Sequence, residues 1–285
     1  MQTKHSAAEI YTFMGELAYY EEGIYKIIEE KVRFKPKTKQ ELQVAARDYK
    51  NTSKYGPIEM WDTSLITDMS QLFIHIGTDW CNDLNINRWN VRNVTNMDSM
   101  FFNCRTFNNP LDQWNVSQVT NMEYMFGGCE QFNQPLENWD VSRVTNMDHM
   151  FGICENFNQP LNKWNVSSVT TLDYMFCGSL RFNQPLDEWD VSRVSSMDHM
   201  FSRCLYYNHP MNHWNVSQVT NMCSMFIGCE HFNQPLNLWD VSSVDNMADM
   251  FSSCFSFNQP IDTWDISSGA NLDRMFYLCN YTIPT

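Results

Sequence analysis

The chain is short of positive charge: 19 Lys and Arg stand against 33 Asp and Glu in 285 residues, a formal net charge of −14. A nucleic-acid partner demands a basic surface that neutralises phosphates, so that class is excluded. Long apolar runs are missing as well. No stretch approaches the roughly 20 apolar residues of a membrane helix, and Met1 to Leu17 holds no apolar leader core. The expectation is a chain without membrane insertion, intracellular or virion-associated rather than classically secreted. Close C-x-x-C pairs, a glycine-rich phosphate loop and a Ser/His/Asp set are also absent. No metal, cofactor or catalytic residue is therefore assigned.

What the chain does have is tryptophan on a ruler. Trp89, Trp114, Trp139, Trp164, Trp189, Trp214, Trp239 and Trp264 are each 25 residues apart, and Trp61 precedes them by 28. Leu or a near equivalent stands three residues before each of the eight, from Ile86 and Leu111 to Ile261, and Val or Ile two residues after, from Val91 to Ile266. About nine repeats follow, one turn of a stack each. The acidity lies here: residues 1–60 carry ten basic and nine acidic side chains, residues 61–285 nine and 24.

Within a repeat the hydrophobic period changes. Leu136-x-x-Trp139-x-Val141 suits a short strand with one buried face. Met147, Met150, Phe151 and Cys154 fall at i, i+3, i+4 and i+7, one face of a short helix. Thr145 to Asp148 before it has the form of a helix cap, which recurs at Thr95/Asp98, Thr120/Glu123, Thr170/Asp173 and Ser195/Asp198. Phe157-Asn158-Gln159-Pro160-Leu161 then turns the chain back, with its asparagine free to bond the next repeat. The predicted architecture is an α/β repeat solenoid, leucine-rich-repeat-like, with about nine strand-helix-turn coils. Residues 1–60 form a helical N-terminal cap and 61–285 the solenoid, whose last coil, from about 264, is atypical. In the cap, one helix carries Ile10, Phe13, Met14 and Leu17, and another opens at Thr38 to Glu41 and carries Leu42, Ala45 and Tyr49. Three extra residues near Asp79, Trp80 and Cys81 predict a projecting loop.

The text W-[ND]-V-S-x-V-T-N-M-x-x-M-F-x-x-C-x-x-F-N-Q-P-L, with the entry segment Phe34 to Thr38 and Trp61 to Ser64, resembles the BspA-like leucine-rich repeat family. The match is to its 25-residue form, once catalogued as a mycoplasmal domain of unknown function, and runs from about Phe34 to Cys279. That resemblance implies a large solenoid of the kind found in mycoplasmas, firmicutes, algae, protists and giant DNA viruses. It implies surface display or protein interaction and brings no catalytic motif. By analogy the strand sheet is concave and presents outward residues that vary beside the constant tryptophan: Arg88, Gln113, Asn138, Lys163, Glu188 and His213. Asp140, Arg143, Asp190 and Arg193 complete the predicted partner-binding face.

The remaining columns suit structure. Cysteines 104, 129, 154, 204, 229, 254 and 279 share one register and are expected as buried, reduced thiols. Asp140 and Asp190 travel with Arg143, Arg193, His149 and His199, while the repeats between them carry Asn, Gln or Ser, and Tyr, so the working unit has 50 residues. The two histidines, two repeats apart, are set aside as exposed helix residues. The leading function is a non-enzymatic scaffold for a protein partner. The alternative is a structural element of a virion or cell surface, in which the stack self-associates. A carbohydrate-active solenoid enzyme ranks third, because each acid is one member of a column.

Overall fold

The computed structural model describes residues 33–74 and 78–281. Residues 33–60 lead into the stack. Helix α1 (Lys39–Asp48) starts where Thr38 accepts the Glu41 amide at 3.2 Å, and buries Leu42, Ala45 and Ala46. Phe34 and Tyr49 meet the ring of Trp61 nearly edge-on, at 5.1 and 5.9 Å between centroids. Short 3₁₀ helices follow at Ile58–Met60 and Thr78–Asp83. The earlier predicted helix, with Ile10 to Leu17, and the side chains of Asp79 and Trp80 lie outside the described residues. Among the described residues no helix is long and apolar enough to cross a membrane.

The 25-residue repeat is one rung of a stack, and each rung is built from turns. This corrects the predicted α/β solenoid. Among the described residues, α1 is the one α-helix and the strand pairing is reduced to isolated parallel bridges, Asn96 to Asn121 to Asn146 and onward to Asn271. In the segment read as a strand, Trp139 donates to the Leu136 carbonyl at 3.0 Å and Val144 to the Val141 carbonyl at 2.9 Å. The exposed or half-exposed pairs between buried residues, 137–138 and 142–143, are turn corners.

The segment read as a helix is a run of turns too. Met125, Gly127 and Cys129 donate to Met122, Tyr124 and Phe126 in their own rung. Met122, Tyr124, Phe126 and Gly128 donate to Asn146, Asp148, Met150 and Gly152 of the next rung, at 2.7–3.1 Å. Tyr124 and Gly128 sit at φ +52° and +76°, which no right-handed helix contains. Width explains the choice: an α-helix is about 10–12 Å across, but equivalent rings of successive rungs are only 5.6 Å apart at Phe126/Phe151 and 6.4 Å at Trp114/Trp139. The supposed caps change role accordingly. Thr120 gives both its amide and its hydroxyl to the Thr95 carbonyl of the preceding rung, at 2.8 and 3.1 Å.

The interior follows the sequence columns. Leu136, Trp139, Val141, Val144, Met147, Met150, Phe151, Cys154 and Phe157 are all buried, and the same columns are buried from Ile86 to Phe257, with Ser179 in place of one cysteine, while Ile261, Ile266 and Cys279 of the last rung are half-buried. In the 25-residue series from Trp89 to Trp264 each indole N–H reaches back to the preceding rung, as from Trp139 to the Leu111 carbonyl at 3.2 Å. Asn108 accepts from the Asn133 amide at 2.9 Å, so the asparagine column is a ladder between rungs. Cys154 donates to the Phe126 carbonyl at 3.0 Å, and burial pushes its thiol above the ordinary range.

Candidate functional site

The ten residues selected from sequence, Arg88, Gln113, Asn138, Asp140, Arg143, Lys163, Glu188, Asp190, Arg193 and His213, are all exposed, on turn corners of the tryptophan edge rather than on a strand face. Arg143 donates to Gln118 at 2.8 Å and Lys163 pairs with Glu137 at 2.8 Å. Asp140 and Asp190 accept the amides of Ser142 and Ser192 at 3.1 Å, and these serine hydrogen bonds hold both carboxyls below their ordinary value. Their first task is to close their own turns.

The opposite edge, where the backbone ladder runs, has more relief. Tyr124, His149, Tyr174 and His199 stack in line, with centroids 4.1, 4.4 and 4.5 Å apart, and Phe102 meets Tyr124 edge-on at 5.4 Å. Beside them lies a half-open groove of about 260 Å³, floored by Gly127, Gly128 and Gly152. Side chains on that floor would fill it: a Cβ on Gly127 would sit 3.2 Å from the rings of both Phe102 and Tyr124. At the rim Ile153 is 55% exposed and holds φ +58°. A branched side chain rarely accepts that backbone, which costs on the order of 1–2 kcal/mol.

The stack of residues 41–153, 129–222 and 207–282 matches, in three overlapping segments, the sequence profile of one family, described as "Mycoplasma protein of unknown function, DUF285". The chain belongs to this family. Among solved structures, the DUF285 chain is similar to an internalin (inlF) from Listeria monocytogenes at 10% identity, over 71% of this chain and 78% of that one, with a TM-score of 0.21. None of the curated proteins compared with it matches.

The groove of this DUF285 stack is flanked by acids that look catalytic until their bonds are traced. Burial pushes Asp148 up to about 6, and raises Asp173 as well. Most rungs use an asparagine to accept the acid's amide, as Asn121 does for Glu123 at 3.0 Å. Where Thr171 and Ser196 replace that asparagine, the acid of the rung before does its work. Asp148 accepts from the Thr171 hydroxyl and the Asp173 amide at 2.8 and 2.9 Å, and Asp173 likewise from Ser196 and Asp198 at 2.6 and 2.8 Å. These carboxylates are ladder members. His149, sandwiched between two tyrosines, is pushed by burial down to about 4, and its buried Nδ1 has no hydrogen-bond partner.

The sequence misplaced the histidines on a helix surface, and the groove was missed. A signal existed: Gly128, Gly178 and Gly228 recur every 50 residues, alternating with Asn103, Ile153, Arg203 and Ser253, all at positive φ. From Asn103 to Ser253 the 50-residue alternation thus pairs a left-handed residue that carries a side chain on one rung with a glycine on the next, and Leu278 ends the alternation.

Proposed function

We propose that the chain is a non-enzymatic interaction scaffold, a BspA-like member of its family, that docks a protein partner on the ladder edge. The observation that carries this is the glycine-floored apolar groove between the Tyr/His stack and the exposed Ile153. Grooves with an apolar floor and aromatic walls suit a partner's apolar side chain, and aromatic residues concentrate at the anchoring points of interfaces. Turnover is not part of the proposal, because the acids beside the groove are engaged in joining rungs. The charged row of the tryptophan edge, Arg143, Lys163, Glu188 and Arg193, is the second candidate face, favoured by its variation along the stack.

Capture from a host lysate with two variants separates these faces. Ile153→Asp should lose the proteins retained by the wild type, whereas the quadruple alanine variant of the charged row should keep them. The reverse pattern moves the docking face to the tryptophan edge and ends the groove assignment. Ordered self-association in sedimentation, unaffected by either variant, favours the structural-element alternative instead.

A further inference from the structure

One rung beyond the groove the repeated pattern is broken in a chemically pointed way. The second position after each bridge residue is acidic in Asp98, Glu123, Asp148, Asp173, Asp198 and Asp273, is Ser70 or Ala248 in two other rungs, and is Cys223 in one. This cysteine is outside the buried cysteine column, and it is half-buried. The next position holds Tyr or His from residue 124 to 199 and then becomes Ser224, so the Tyr174/His199 pair ends the ring stack and the far side of His199 faces a small side chain. Ligand atoms of Asp198, His199 and Cys223 all lie within 4.8 Å of one another, and among the described residues no other three or more His, Cys, Asp or Glu side chains gather so.

From this geometry we infer that Asp198, His199 and Cys223 form a three-ligand site for a zinc-class divalent cation, with water as fourth ligand. The donor set, one oxygen, one nitrogen and one sulfur, is that of a borderline-soft tetrahedral ion, and the bonds it requires are about 2.0–2.3 Å. His199 Nδ1 already stands 2.7 Å from Asp198 Oδ1, and the backbone fixes the two rungs through the His199 amide, which donates to the Cys223 carbonyl at 2.9 Å. The set closes by small side-chain movements around a fixed frame. Asn221 accepts the Cys223 amide at 3.1 Å and anchors the start of the turn. Binding exchanges one proton for the ion: the Cys223 S–H bond breaks, an S–metal bond forms and the proton leaves to solvent. The equivalent His149 has no such site, because the next rung supplies Asp173 in place of the thiol and three ligand atoms do not gather there.

The test is titration of the metal-free full chain with Co²⁺, followed by absorbance, and with Zn²⁺, followed by calorimetry and thermal unfolding. One equivalent should bind with a thiolate-to-cobalt charge-transfer band, and Zn²⁺ should raise the unfolding temperature. Cys223→Ala and His199→Tyr install residues that other rungs carry in the same register, at Ala248 and Tyr174, so both should fold. Each should weaken Zn²⁺ binding by about a hundredfold or more, and Cys223→Ala should also abolish the band. Cys177→Ser and His149→Tyr should bind as the wild type does. No charge-transfer band in the wild type, or a band that survives Cys223→Ala, overturns the site. None of these readouts depends on a protein partner.

Discussion

Along the ladder edge, alternate amides of residues 122–128 reach carbonyls of the next rung, whereas along the tryptophan edge each rung closes its own turns and meets its neighbour through side chains. The spacing reflects this, widening from 5.6 Å at Phe126/Phe151 to 6.0 Å at Phe132/Phe157 and 6.4 Å at Trp114/Trp139. A backbone ladder holds its spacing whatever the side chains are. The ladder edge therefore admits Tyr, His, Gly, Ile and Cys without loss of the stack, and relief accumulates there. The tryptophan edge has no such ladder, so its Trp and Asn columns are nearly invariant from rung to rung while only the turn corners vary.

Both edges share the core, and the largest effect is expected from it. Phe151→Ala removes a ring stacked on Phe126, Phe176 and Phe157, and should cost about 3–5 kcal/mol by chemical denaturation. A cost below about 1 kcal/mol would mean that the aromatic columns do not hold the rungs together. Gly128→Val attacks the ladder edge alone, where φ is +76° and a Cβ would collide with Asn103. A loss of about 2 kcal/mol is expected from the left-handed backbone and the collision. An unchanged melting curve would show that this turn is not left-handed in solution.

Titration sharpens the comparison further. The folded chain keeps the Asp148 proton up to about pH 6, while an unfolded carboxyl releases it near 3.8, so this group opposes folding increasingly as pH rises between those values. Asp148→Asn keeps an acceptor for Thr171 and Asp173 and should stabilise by about 1 kcal/mol at pH 7, a value reduced for partial exposure, with the gain vanishing near pH 4. His149 works in the other direction. Its folded value of about 4 lies below the ordinary 6.5, so protonation opposes folding as pH falls between the two, and His149→Tyr should flatten that loss. Stability curves against pH check both, and parallel wild-type and mutant curves would refute them. The smallest effect belongs to the tryptophan edge: Lys163→Ala breaks an exposed pair with Glu137 and should leave the denaturation midpoint unchanged.

Much of this was legible in the sequence, and the failure has a definite cause. The 25-residue period, the buried columns and the asparagine ladder depend on which side chains recur, and Trp, Phe and Asn state that directly. Met147, Met150, Phe151 and Cys154 misled because spacings of three and four also arise when successive three-residue turns are reset by left-handed residues such as His149 and Ile153. Thr145 misled because a hydroxyl that seems poised to cap a helix bonds the carbonyl of the rung before it, at 3.2 Å. Periodicity along the chain reports which residues are buried. It does not report whether the amides bond along the chain or across it. The groove needed that knowledge, and the Asp198/His199/Cys223 cluster needed the register of two rungs.

The direction of those amide bonds is the central claim, and scalar couplings transmitted through hydrogen bonds read it directly. Nuclear magnetic resonance of the isotope-labelled chain should show couplings from the Tyr124 nitrogen to the Asp148 carbonyl carbon and from Phe126 to Met150, one rung onward. Couplings from Tyr124 to Thr120 and from Phe126 to Met122, four residues back in the same rung, would restore the helix and contradict the account.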